Sequence, residues 1–137
     1  MTPRELFVAE AMTWLGTPYH HAAMVKGAGV DCIMLMVAAG RAAGKVAPDF
    51  DPRPYPQLWY LHRDEEKYLN GIVGYCSRTS APQRGDIVLY KFGRTASHGA
   101  IYLDATNILH AHAPDKQVCI SDSRDLAHRL HSYWSID

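Results

Sequence analysis

The sequence has no cysteine pairing pattern. Its three cysteines, Cys32, Cys76 and Cys119, form an odd set without a C-x-x-C spacing, which argues against a disulfide framework and against a structural zinc knuckle. It also lacks an excess of either charge. Fourteen Lys and Arg balance 14 Asp and Glu, and the basic residues are scattered, so no nucleic-acid footprint is present. Apolar runs fall short of the length that spans a bilayer, and membrane insertion is not expected. At the N-terminus, Thr2-Pro3-Arg4-Glu5 stands where an exported chain carries a basic and apolar leader. The expected location is therefore the cytoplasm, or an assembled particle that leaves it. Internal repeats and low-complexity tracts are missing, and 137 residues suit one domain over 1–137.

Histidine, by contrast, is plentiful: eight in a chain of zero net charge. It is the side chain best matched to proton transfer near neutral pH.

Start and stop signals divide the chain. Thr2, Pro3 and Glu5 predict a capped first helix that runs toward Trp14-Leu15 and ends at Gly16-Thr17-Pro18. A glycine-bearing loop leads to Asp31, a good N-cap, and a second helix is expected from Cys32 to Arg41 or Ala43, with Gly44 as its stop. Its opening residues, Ile33 to Val37, are apolar on every side, as in a central buried helix. Pro48, Pro52, Pro54 and Pro56 mark an irregular excursion, and Leu58 to Lys67 reads as a surface helix ending near Gly71. From Pro82 onward the texture is that of strands: Asp86–Phe92, Ala100–Leu103, Asn107–Ala111, Val118–Ser121 and His131–Ile136. Helices first and about five antiparallel strands after them predict an α+β fold.

The placement of Cys32 carries the chemistry. A thiol on the first turn of a helix faces unpaired backbone N–H groups and the positive end of the helix dipole, which favour a thiolate. Thiol hydrolysis also needs a histidine to share the proton and a third group to orient it. His98 and His110 lie on successive expected strands and are the candidates, with His112 as the alternative orienting group. Taken singly, each has a plainer explanation. A cysteine among Ile, Met and Leu is commonly a small core hydrophobe, and a histidine at a strand end is commonly a surface or satisfied core group. Cys76 and Cys119 are read as structural, and His20, His21, His62, His128 and His131 as solvated or interfacial. His110 and His112, at alternate strand positions, raise a zinc alternative completed by His98 or Cys32. No acidic residue sits at a telling distance, and neither metal nor cofactor is expected.

Five segments occur in a familiar order: Trp14-Leu15-Gly16-Thr17-Pro18-Tyr19, Gly29-Val30-Asp31-Cys32, Arg84-Gly85-Asp86-Ile87-Val88, His98-Gly99-Ala100-Ile101-Tyr102 and Ile108-Leu109-His110-Ala111. Over nearly its whole length the chain resembles the NlpC family of papain-like cell-wall cysteine peptidases, in style closest to its phage-tail and gene-transfer-particle branch. The resemblance implies a papain-like NlpC-type fold, with N-terminal helices packed on a C-terminal antiparallel sheet. It implies hydrolysis of amide bonds in peptidoglycan stem peptides, typically between D-glutamate and a diamino acid. Cys32 would be the nucleophile, His98 the general base and acid, and His110 the orienting group. Tyr19 matches a tyrosine near the oxyanion, and Asp31 an acidic residue that meets the amine of the stem's N-terminal alanine. Peptidoglycan stems, and other phage-tail proteins, are the implied partners. Two departures stand out: Ile33-Met34 replaces the usual serine and glycine after the cysteine, and Ala22-Ala23 replaces a glycine pair. Backbone N–H groups survive both changes, whereas a hydroxyl is lost from the substrate cleft. Met34 also calls for a compensating change nearby. The alternative is a catalytically reduced structural protein of a phage-like tail tip with the same fold.

Overall fold

The computed structural model describes residues 1–55, 76–92 and 95–137. Helix α1 spans Pro3–Met12, with Thr2 Oγ1 accepting from Glu5 N and proline at the first turn, as its sequence requires. It stops short of Trp14-Leu15. The Thr13 hydroxyl donates to Glu10 O at 2.6 Å, competing for a carbonyl that the next helical turn would use. Gly16 then turns the chain at φ +84°, a region that glycine enters without steric cost.

Residues 17–31, expected as a loop, form a two-stranded hairpin of β1 (Met24–Val25) and β2 (Gly29–Val30). Helix α2, Cys32–Ala42, follows with Asp31 as its N-cap. Gly44 lies just beyond it at φ +72°, the expected stop. The excursion through Pro48 is irregular as far as Tyr55. The expected surface helix over Leu58–Lys67, and His62 with it, falls outside the described residues.

The C-terminal part supplies β3 (Ser77–Thr79), β4 (Ile87–Phe92), β5 (Thr95–Tyr102), β6 (Asn107–His112), β7 (Gln117–Asp122) and β8 (Leu130–Ser135). All pair antiparallel in the order β3-β8-β4-β5-β6-β7. The five expected strands are present. The sixth, β3, is a short polar edge strand with no apolar alternation to reveal it, and among the described residues it pairs only with β8.

Period-two alternation gives the sheet two apolar faces. Ile87, Leu89, Ile101, Leu109 and Val118 share one core with Met34, Leu35 and Val37 of α2 and with Phe7 and Ala11 of α1. Val88, Tyr90, Ala100 and Ile108 form a second, smaller core closed by Tyr133 and by Leu126 of the 3-10 stretch Ser123–Arg129. Met34 is fully buried in the first core, which also holds Ala11, Ala39, Ala96 and Ala111. Arg4 ties the two halves of the chain together, donating to Asp86, Asp137 and Ser135. At Gly85 (φ +96°) a Cβ would lie 3.1 Å from that of Arg4, so the Gly85-Asp86 pair permits the close approach. Among the described residues no helix is long and apolar enough to cross a membrane.

Candidate active site

Asp31 builds the surroundings of Cys32. It is 2 % exposed. Its Oδ1 accepts from Met34 N at 2.9 Å, and its Oδ2 accepts from Ala22 N at 2.7 Å and from the Tyr55 hydroxyl. One carboxylate therefore caps α2, pins the loop ahead of it and captures the end of the proline excursion. His21 joins this group: its Nε2 lies 3.0 Å from Tyr55 O, its ring meets the Tyr55 ring edge-on, and its Nδ1 is 3.9 Å from Asp31 Oδ2. Arg53 adds a hydrogen bond to Ala22 O at 3.1 Å. The Tyr55 phenol is held above its ordinary range by burial first, then by its bond to Asp31 and the nearby charges of Asp31, Cys32 and Tyr19. Cys32 itself is the first residue of α2 and is 7 % exposed.

The histidines form a second group. His98, paired with Tyr90 across the sheet, lies in β5 and is walled by Tyr90 and Phe92. A bulge on β5 beside Tyr90 and Lys91 marks the stretch that carries it, and such irregularities re-aim side chains. His98 Nε2 is 2.8 Å from His110 Nδ1, and His110 Nε2 is 2.8 Å from Ser121 Oγ. Of the two candidate orienting groups, His110 is the one within hydrogen-bond distance of His98. His112 instead stacks on His110, with ring centroids 4.5 Å apart, and bonds Asp115 through Nδ1 at 2.8 Å. Burial and the neighbouring imidazoles of His110 and His112 hold His98 well below its usual range. Burial, followed by His112, lowers His110 to about 3. Both imidazoles are consequently neutral at pH 7, the state in which one can accept a thiol proton.

Backbone pairing joins the two groups. His112 pairs with Gln117, Gln117 bridges Pro18, and Tyr19 bridges Val30. This sequence of partners carries the edge of the sheet from the histidine-bearing end of β6, across β7, to the residues just ahead of Cys32. Tyr19, Asp31 and Cys32 thus lie near Tyr55, and His98 beside His110, with this chain of backbone pairs running between the two groups.

Four contributors escaped sequence reasoning. Tyr55 and Arg53 lie in proline-punctuated chain whose docking is tertiary. Ser121 is signalled only by its diagonal offset from Cys119, which sits opposite His110. His21, read as solvated or interfacial, is half-buried against Tyr55 and Asp31. The two other cysteines are distinct in environment: burial pushes the Cys76 thiol up to about 11, while Cys119 is half-buried beside Asp115 and Ser121.

The fold has close counterparts. The NlpC/p60 domain of the peptidoglycan hydrolase SagA superposes with a TM-score of 0.66 at 20 % identity, over 96 % of this chain and 97 % of that one. A protein of the NLP/P60 family from Staphylococcus aureus, described as similar to a lipoprotein, gives 0.70 at 18 % identity, over 98 % of this chain and 41 % of that one. NlpC1 from Trichomonas vaginalis gives 0.72 at 15 % identity, over 98 % of this chain and 45 % of that one. The chain thus spans less than half of the last two proteins and nearly all of the SagA domain. No curated protein is significantly similar to it in sequence. The profile of the NlpC/P60 family, however, matches residues 16–134. That span runs from the turn before Tyr19 through Asp31-Cys32 and the His98–His110 pair to β8, and the chain belongs to the NlpC/P60 family.

Proposed function

We propose that the chain is a cysteine peptidase that hydrolyses amide bonds in the peptide stems of peptidoglycan, with Cys32, His98 and His110 as its catalytic group. The observation that carries this reading is the 2.8 Å contact between His98 Nε2 and His110 Nδ1, at the end of the sheet whose pairing leads to the loop ahead of Cys32. That SagA is a peptidoglycan hydrolase supports the substrate class.

With its Nε2–H donated to His110 Nδ1, His98 keeps the Nδ1 lone pair for the Cys32 thiol. His110 then donates its own Nε2–H to Ser121 Oγ. The thiolate attacks the scissile carbonyl, and the negative charge develops on oxygen near the N-terminal end of α2, where the helix dipole favours it. Tyr19 is assigned as a second donor to that oxygen. His98 returns its proton to the leaving amine, giving a thioester. It then takes a proton from water, which attacks the thioester and releases the stem carboxylate. The scissile bond is assigned as that between D-glutamate and the diamino acid. Asp31 meets the amine of the stem's N-terminal alanine while it holds the helix cap. A phage-like tail or gene-transfer particle is the proposed carrier to the wall.

Ile33 and Met34 favour a second reading, a tail-tip component that keeps the fold without turnover, because both side chains serve the core. One experiment decides. Purified peptidoglycan with lysine or meso-diaminopimelate stems is incubated with the protein and with Cys32→Ala, and products are read by mass spectrometry. New stem fragments from the unaltered chain alone support the peptidase. Identical product patterns across both stem types overturn it.

A further inference from the structure

On the far side of His110 from His98, β6, β7 and the turn between them bring three dissimilar donors together. His110, Asp115 and Cys119 each offer a ligand atom, and these atoms all lie within 4.8 Å of one another. The arrangement follows from register: His110 pairs directly with Cys119, so both side chains stand on one face of the sheet. The 3-10 turn Ala113–Asp115 carries the carboxylate back over them. Cys119 Sγ already donates to Asp115 Oδ2 at 3.4 Å, and the same carboxylate oxygen is held by His112 Nδ1 at 2.8 Å.

We infer that His110 Nε2, Cys119 Sγ and an Asp115 carboxylate oxygen form a binding site for a divalent transition-metal ion of the zinc class, the ion taking the place on Nε2 that Ser121 Oγ holds at 2.8 Å in its absence. Imidazole, thiolate and carboxylate together match that class, whereas calcium and magnesium take oxygen sets. Around a tetrahedral ion, zinc bonds of about 2.3 Å to sulfur and about 2.0–2.1 Å to nitrogen hold two ligand atoms roughly 3.3–3.6 Å apart. Closing a pair at the outer limit of 4.8 Å therefore needs a shift of about an ångström, available in the exposed turn that bears Asp115. Water fills the fourth position. The thiol proton leaves to solvent as the sulfur binds, and His112 stays as the hydrogen-bond partner that orients Asp115, the usual support of a metal-bound carboxylate.

The site has a consequence for turnover, which rests on the catalytic reading above. A metal on His110 Nε2 leaves the imidazole proton on Nδ1. That proton then points at His98 Nε2, which must accept it, so the neutral His98 carries its own proton on Nδ1. The lone pair that would receive the Cys32 proton is gone. An ion on the outer side of the relay thus switches off the inner side without touching the nucleophile.

Cobalt(II) is the probe of choice, because a thiolate ligand gives an intense near-ultraviolet charge-transfer band. Titrating the protein with cobalt is expected to give that band at one ion per chain. It should disappear in Cys119→Ser, weaken in Asp115→Asn and persist in Cys32→Ala. No band, a band that survives in Cys119→Ser, or one lost with Cys32 would overturn the site. In the peptidoglycan assay, zinc should slow the unaltered protein at least tenfold more than it slows Cys119→Ser. Equal inhibition of the two would overturn the coupling. The spectroscopic measurement needs no turnover, so it stands or falls separately from the peptidase reading.

Discussion

The Tyr55 hydroxyl donates to Oδ2 of Asp31, the carboxylate whose other oxygen caps the helix that begins with Cys32. A residue from the proline-punctuated excursion therefore helps fix the start of the helix that carries Cys32. Losing a hydrogen bond to a charged group typically costs about 1.5–3 kcal/mol. Tyr55→Phe keeps the ring that meets His21 edge-on and removes only the donor. We expect a loss of about 1.5 kcal/mol in urea-induced unfolding, together with reduced kcat on peptidoglycan. Asp31→Ala should cost more, because the cap, worth about 0.5–2 kcal/mol, goes with the partners of both Ala22 N and Tyr55. Finding Tyr55→Phe as stable as the parent would show that the hydroxyl is equally well served by water.

The histidine relay predicts graded effects along its length. His110 touches His98 directly, while Ser121 acts through His110. Positioned acid–base groups contribute about 10²- to 10⁴-fold in rate. His110→Ala is expected to lower kcat about 100-fold or more with little change in KM. Ser121→Ala should lower it less than tenfold, since His110 keeps its burial and its bond to His98. A His112→Ala effect as large as that of His110→Ala would assign the orienting role to the wrong ring.

Much of this was legible in the residues. Asp31, Cys32 and Gly44 delimit α2 because capping and stop signals are local, and they act through backbone groups that any helix end leaves open. The paired histidines followed from strand order, since adjacent antiparallel strands align side chains on one face. Contacts that depend on chain reversal were not legible. Tyr55 reaches Asp31 across 24 residues, with no periodicity to announce it. The edge strand β3 is polar and short, so it has no apolar face to register. His21 reads as solvated or interfacial because packing against a single tyrosine leaves no pattern in the sequence.

Acidification should loosen the fold through the same histidines. His110 has a folded-state pKa of about 3, set first by burial and then by His112, against 6.5 in an unfolded chain, and that of His98 also lies well below 6.5. For a base lowered in this way, the unfolded state binds more protons, so its stabilisation is complete above pH 6.5 and is lost as pH falls below it. Each pH unit inside that window costs up to about 1.4 kcal/mol per histidine. Urea midpoints measured between pH 7 and pH 5 are expected to fall steeply. The slope should be shallower in His110→Gln, which removes one titrating group. A slope unchanged by that substitution would place the titration elsewhere.

The helix that carries Cys32 also sets where the following chain can go, and Gly40 is the point of control. The backbone folds back immediately, so that Lys45 N and Val46 N both donate to Gly40 O, at 2.9 and 3.2 Å. Gly40 has only a hydrogen where other residues have a side chain, and a Cβ built there would lie 2.5 Å from Val46 Cγ2. Intrinsic helix propensity argues for alanine by about 1 kcal/mol. Overpacking argues against it by about 1–3 kcal/mol. Val46 is β-branched and stiff about χ1, so packing should win. Gly40→Ala is expected to destabilise by about 1 kcal/mol in urea unfolding. Val46→Ala alone should cost a similar amount through lost burial. Combined, the clash disappears while the helix keeps its better residue, so the double variant should be more stable than the two single effects predict, by about 1 kcal/mol or more. Strict additivity would mean that Val46 turns aside freely and that Gly40 does not set the path of the returning chain.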